Sequence, residues 1–209
     1  MADKNMILSA DAEEKLLKPI DEYVGKIQAQ IDELRVDGSD KVRSLKNHIA
    51  IAKEDKNLSK DEKDSIIAKD KAALEKAKAV EAANKDKVAK LIADAEGYLK
   101  EHYDSEYYSK VVASCEAEKA AENESYERVK ATLKTEHEQT LAKLSDPEEI
   151  KDEKYVYKNK LFDAQMTHES KLQEIKDRKH DAFSHKYHLI DLLRMSKYTF
   201  MQSRAQKFE

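Results

Sequence analysis

Glycine occurs three times and proline twice in 209 residues, tryptophan not at all, and cysteine once. Tight turns draw on Gly, Pro, Asn and Asp for their special backbone angles. So short a supply of glycine and proline excludes a fold rich in tight loops, and with it the loop-borne sites that most enzymes use. The single cysteine, Cys115, excludes a disulfide within the chain and suits a reducing compartment. No window approaches the roughly eighteen apolar residues of a membrane-spanning helix, and the first residues carry no apolar run of leader length. A soluble, cytoplasmic protein is the expectation. There is no phosphate-binding glycine motif, no GxSxG and no CxxC.

Charge is abundant instead. Charged residues make up 39% of the chain and hydrophobic ones 40%, with a net charge of only −4. Ala, Glu, Lys and Leu dominate, the signature of long helices and coiled coils. Mixed-sign charge and regular apolar spacing argue against disorder, which favours high net charge. The lysines alternate with Asp and Glu rather than forming a basic stripe, which disfavours nucleic-acid binding.

Helix starts and stops divide the chain. Ser59 with Glu62 reads as a capping box, and Asp146-Pro147 with Glu149 as another, with proline at the first helical position. Gly38 followed by Ser39 and Asp40 reads as a helix stop and a restart. A first helix is expected from about Ser9 to Val36, kinked or restarted at Pro19, with Ile20, Tyr23, Val24, Ile27, Ile31 and Leu34 on one face. A short helix follows from about Ser39 to Asp55. From Ser59 onward Ile67, Leu74, Ala77, Val88, Leu91, Ala95 and Tyr98 make a seam, with Glu81 and Asn84 as polar members; a buried Asn can fix register. A break or kink is expected near Tyr103–Ser105, amid Tyr98, Tyr103, Tyr107 and Tyr108, although one helix could also run on unbroken. Val112, Cys115, Tyr126, Val129, Leu133, Leu141 and Leu144 follow. The last helix starts at Pro147 and meets no breaker; some 60 residues would span about 90 Å at 1.5 Å per residue. Its stripe is Leu161, His168, Leu172, Ile175, Ala182, Leu189, Leu193 and Phe200. These signals predict an all-α protein, an elongated antiparallel helical bundle or coiled coil of about five helices. Two regions are expected, 1–58 with short helices and 59–209 with long ones, jointed near 103–105 and 145–147.

Two groups on the last helix are candidates for function, and the cluster Tyr98, Tyr103, Tyr107 and Tyr108 is a third, which suits an interface but reads more simply as packing around a helix joint. Phe183, Ile190 and Met201 add a second apolar stripe beside Leu189, Leu193 and Phe200, amid Lys186, Arg194, Lys197, Arg204 and Lys207. An apolar, basic helix segment of this kind suits docking of a protein partner or a second copy. Asp181, His185 and His188 share one face at spacings that can ligate zinc, but that face lies opposite the stripes and reads more simply as solvated. Clustered imidazoles would also respond to pH. His168 falls on the core stripe and reads as a partnered seam residue.

The expected function is therefore that of a non-enzymatic structural or adaptor subunit. Long helices set a distance, and Phe183, Leu189, Ile190, Leu193, Phe200 and Met201 grip a partner; no catalytic residue and no cofactor is expected. A peripheral, membrane-surface-binding helical dimer is the alternative, disfavoured by the evenly mixed charge. A metal-binding helical bundle is the third reading, weakened because such sites use Glu-x-x-His pairs, which Glu136-His137 and His168-Glu169 do not supply.

Overall fold

The computed structural model describes residues 7–205, and these are helical almost throughout. The protein is all-α. Among the described residues five α-helices occur: α1 (Ala10–Arg35), α2 (Lys41–Glu54), α3 (Lys60–Tyr98), α4 (Ser109–Leu141) and α5 (Pro147–Ala205). They are not five separate rods. A π-helical turn, Val36–Asp40, joins α1 to α2, and a π-helix, Leu99–Tyr108, joins α3 to α4. Among the described residues the backbone thus leaves helix between two long elements only at 55–59 and at 142–146.

Two sequence expectations fall here. Gly38 is not a helix stop: no glycine has a positive φ, and the chain turns through it helically. Its missing side chain serves packing instead. A Cβ there would lie 3.1 Å from the Cα of Glu81 and 3.2 Å from Nδ2 of Asn84. The amide of Asn84, itself buried, donates to the carbonyl of Leu34 at 2.9 Å. Glycine is needed so that α3 can come this close. Nor is there a break near Tyr103–Ser105. Buried side chains recur there at Ala95, Leu99, Tyr103, Tyr107 and Val111. In an α-helix of 3.6 residues per turn a four-residue repeat drifts about 40° at each step. Such a run would wind off one face of the helix, and the wider π turn keeps it on that face.

Pro19 lies inside α1, exposed, and α1 passes through it. At the start of α3 the Ser59 hydroxyl accepts from the Glu62 amide while Glu62 accepts from the Ser59 amide, so the capping box is formed. The Asp146 carboxylate accepts from the Glu148 amide at 2.8 Å at the start of α5.

The chain forms two compact units, one of residues 7–15 with Ser105–His185, the other of Leu16–Asp104 with residues 186–205. The second unit holds most of the buried apolar side chains. Ile20, Val24, Ile27 and Ile31 of α1, Val88, Ile92 and Ala95 of α3, and Leu189, Leu193 and Phe200 of α5 are all buried. Tyr23 and Tyr98 stack with ring centroids 3.9 Å apart. Val42 and Ile49 of α2 cluster with Leu74 and Ala77 of α3, with Leu45 and Ile67 packed against them. His48 closes this hairpin with Nδ1 2.6 Å from the buried Asp70. In the first unit α4 runs beside the first two thirds of α5, as hydrogen bonds between Glu116 and Lys179 near one end and His137 and Glu153 near the other require.

Candidate functional site on the last helix

The six residues expected to grip a partner divide by burial. Leu189, Leu193 and Phe200 are 3%, 1% and 0% exposed, because their own fold covers them. Ile190 is half-buried, and Phe183 and Met201 are exposed. Tyr187, Met195 and Tyr198 add exposed apolar and aromatic surface to the same stretch. The main stripe therefore belongs to the core, and the surface residues lie on the flank of the helix. Lys186 is fixed by Asp104 at 2.7 Å, Arg194 lies 3.4 Å from Asp191, and the Gln202 amide donates to the Tyr198 hydroxyl at 2.6 Å.

Asp181 and His188 are exposed and His185 is half-buried. Among the described residues no three His, Cys, Asp or Glu side chains converge as a metal ion would require. His168, by contrast, is a partnered seam residue: its Nδ1 lies 3.2 Å from Glu122, and its ring stacks on Tyr126.

The strongest electrostatic site is one that sequence reasoning missed. In the first unit Arg178 reaches from α5 into a polar pocket between α1 and α4. Its Nη2 donates to Glu118 at 2.7 Å and to Ser114 Oγ at 3.2 Å, and lies 3.5 Å from Cys115 Sγ. Its Nε sits 3.3 Å from Glu13 of α1, a contact of opposite charges without hydrogen-bond alignment. The amide of Leu8 donates to Ser114 Oγ at 2.8 Å, tying the chain ahead of α1 to the same cluster. Burial works against the charge on Arg178, but its hydrogen bonds to Glu118 and Cys115 outweigh that and its pKa is raised. Glu13 is also raised: desolvation outweighs the attraction of Arg178, and Glu118 adds repulsion. One arginine thus bridges two carboxylates and holds together three segments far apart in sequence. Nothing in the spacing of Glu13, Glu118 and Arg178 announces this, because the contacts depend on tertiary packing.

The arrangement is a set of polar fasteners and exposed helix flanks. Among the described residues no helix is long and apolar enough to cross a membrane. A family model described as the N-terminal domain of the ABC transporter permease MglC matches residues 9–209, and the chain belongs to that family. No curated protein and no solved structure matches.

Proposed function

We propose, from membership in the MglC N-terminal domain family, that the chain serves as a non-enzymatic helical domain of an ABC transporter assembly. In this reading it works by geometry: continuous helices hold attachment points apart, and the flank of the end of α5 docks a protein of the same assembly. The carrying observation is the family match over residues 9–209. The exposed Tyr187, Tyr198 and Met201 supply the kind of amphipathic surface on which partners settle. The buried Leu189, Leu193 and Phe200 hold that flank rigid from beneath. A cytoplasmic setting goes with the proposal, since the buried Cys115 is a free thiol.

Site-specific photo-crosslinking in cells tests it. A crosslinker at Tyr198 or Met201 is expected to capture a transporter protein, while one at the exposed Val80 of α3 is not. Equal capture at all three positions, or none, would overturn the docking surface. Flotation of the purified protein with anionic vesicles reads the membrane-surface alternative. That alternative gains if Tyr198→Glu abolishes flotation and crosslinking finds no protein.

A further inference from the structure

Two polar triplets recur along the α4–α5 hairpin. His137 on α4 places Nδ1 2.9 Å from Glu153 of α5, and its ring stacks on Tyr157 with centroids 4.2 Å apart. His168 on α5 places Nδ1 3.2 Å from Glu122 of α4, and its ring stacks on Tyr126, again at 4.2 Å. The stacks are nearly parallel, with interplanar angles of 8° and 6°. Each set reads Glu, then Tyr four residues on, then His eleven further, and each member of the second set follows its counterpart by the same 31 positions. The histidine of each set closes on the Glu and Tyr of the other. The two clasps are therefore related by a local two-fold, and both describe one antiparallel register.

Their surroundings make them matter. From 116 to 181 no described side chain is buried; Leu133, Leu141, Leu161 and Leu172 are only half-covered, and Val129 is exposed. A seam this shallow discriminates poorly between registers, because apolar contact is non-directional and any slid pairing finds similar contacts. Polar seam residues do discriminate, since a slid register leaves them unpaired. Each imidazole Nδ1 lies within hydrogen-bond distance of one carboxylate oxygen, and the stack on tyrosine fixes the ring plane. The His168 clasp is reinforced by Lys171, 3.2 Å from the other oxygen of Glu122, and by Lys130, 5.2 Å from the centre of the Tyr126 ring.

We propose that these paired His–Glu–Tyr clasps, rather than the apolar seam or the turn, lock the register of the hairpin, and that either clasp suffices. Loss of both frees α5 to slide along α4. This inference does not depend on the transporter reading, and its test reads distances within one molecule.

The test is pulsed electron resonance on the full chain in a Cys115→Ser background, with spin labels at Lys134→Cys and Lys160→Cys, both exposed. With clasps intact one narrow distance is expected, and each of His137→Ala and His168→Ala alone should keep it. The double variant should broaden the distribution or move it by about one helical turn, about 5.4 Å, while circular dichroism shows the helices retained. Glu122→Ala with Glu153→Ala removes the same contacts from the other side with a strong helix former, and should have the same effect. A folded double variant of either kind that keeps the single narrow distance overturns the proposal, as does a shift in one single variant.

Discussion

The two units use the same alphabet of Ala, Lys, Glu and Leu, and they are held in different ways. The unit of Leu16–Asp104 with 186–205 buries its apolar stripes: Ile31, Leu193 and Phe200 are at most 1% exposed. In the other unit the hairpin arms bury no described side chain between 116 and 181, and cross-links of charge and ring stacking take over: His137–Glu153, His168–Glu122 and Arg178–Glu118. The difference follows from how many neighbours each helix has. A helix with two or more packed neighbours can enclose its stripe, whereas a pair of helices leaves every seam residue partly wet. Polar contacts supply the direction that shallow apolar contact lacks, and at Arg178 their hydrogen bonds outweigh the cost of desolvation.

The sharpest way to break the comparison is by truncation. Ile31→Ala and Leu193→Ala remove fully buried side chains and are expected to cost about 2–5 kcal/mol each. Leu133→Ala and Leu161→Ala in the hairpin should cost about 1 kcal/mol, since those side chains are already half in water. Urea denaturation of the four variants, followed by circular dichroism, measures both groups. Equal losses would mean that the hairpin seam is as specific as the core.

Arg178 tests the polar side of the contrast. Arg178→Met leaves Glu13 and Glu118 facing each other without their cation. The expected loss at neutral pH is about 2 kcal/mol, below the 3–5 kcal/mol of a fully buried pair because Arg178 is partly exposed. The pH dependence of Glu13 has a definite sign. Its pKa is raised in the fold, so between its ordinary value and the raised one the folded chain binds more protons than the unfolded chain, and stability falls as pH rises through that window. Glu13→Gln, with Arg178 still bound to Glu118, should therefore gain on the wild type as pH rises from below 4.5 towards neutral. A Glu13→Gln variant that instead loses stability relative to the wild type over the same range would contradict the desolvation argument.

Much of the helical skeleton was written in the sequence, because its causes are local. The box at Ser59 and the proline at 147 mark helix starts, and the stripe through Ala182, Leu189, Leu193 and Phe200 lies in the core. Two features misled. Gly38 looked like a stop because glycine is read by its backbone freedom; here its lack of a Cβ is what counts, and that is visible only once α3 lies against it. A break or kink is expected near Tyr103–Ser105, with an unbroken helix as the alternative, and the backbone stays helical there. The four-residue spacing of Leu99, Tyr103, Tyr107 and Val111 carries the signal for a π-helix. Of the candidate docking residues, the sequence could not separate Leu189 from Met201, since both fall on apolar stripes and only the number of neighbouring helices decides which stripe is covered. The clasps were legible in principle as a 31-residue recurrence of Glu, Tyr and His, but three identities spread over sixteen positions do not stand out in a chain this charged.

The smallest effects concern the glycines, and they test whether the buried unit is close-packed down to its backbone. A Cβ added at Gly25 or Gly97 would meet nothing within 4 Å, and both residues lie in helix. Alanine loses less backbone entropy than glycine on entering a helix, so Gly25→Ala and Gly97→Ala should each stabilise by about 0.5–1 kcal/mol. Gly38→Ala has the same local gain and a steric cost that opposes it. The new methyl would meet the Glu81 backbone at 3.1 Å, which cannot swing aside as a flexible side chain does, and the amide of Asn84 at 3.2 Å, which is committed to Leu34. Relief requires α3 to move away or Asn84 to give up its bond, and either outcome should turn the gain into a net loss of about 1 kcal/mol. Thermal denaturation of the three variants reads the sign directly. A stabilised Gly38→Ala would show that α3 has slack where the packing leaves none, and would bring the buried unit closer in character to the hairpin.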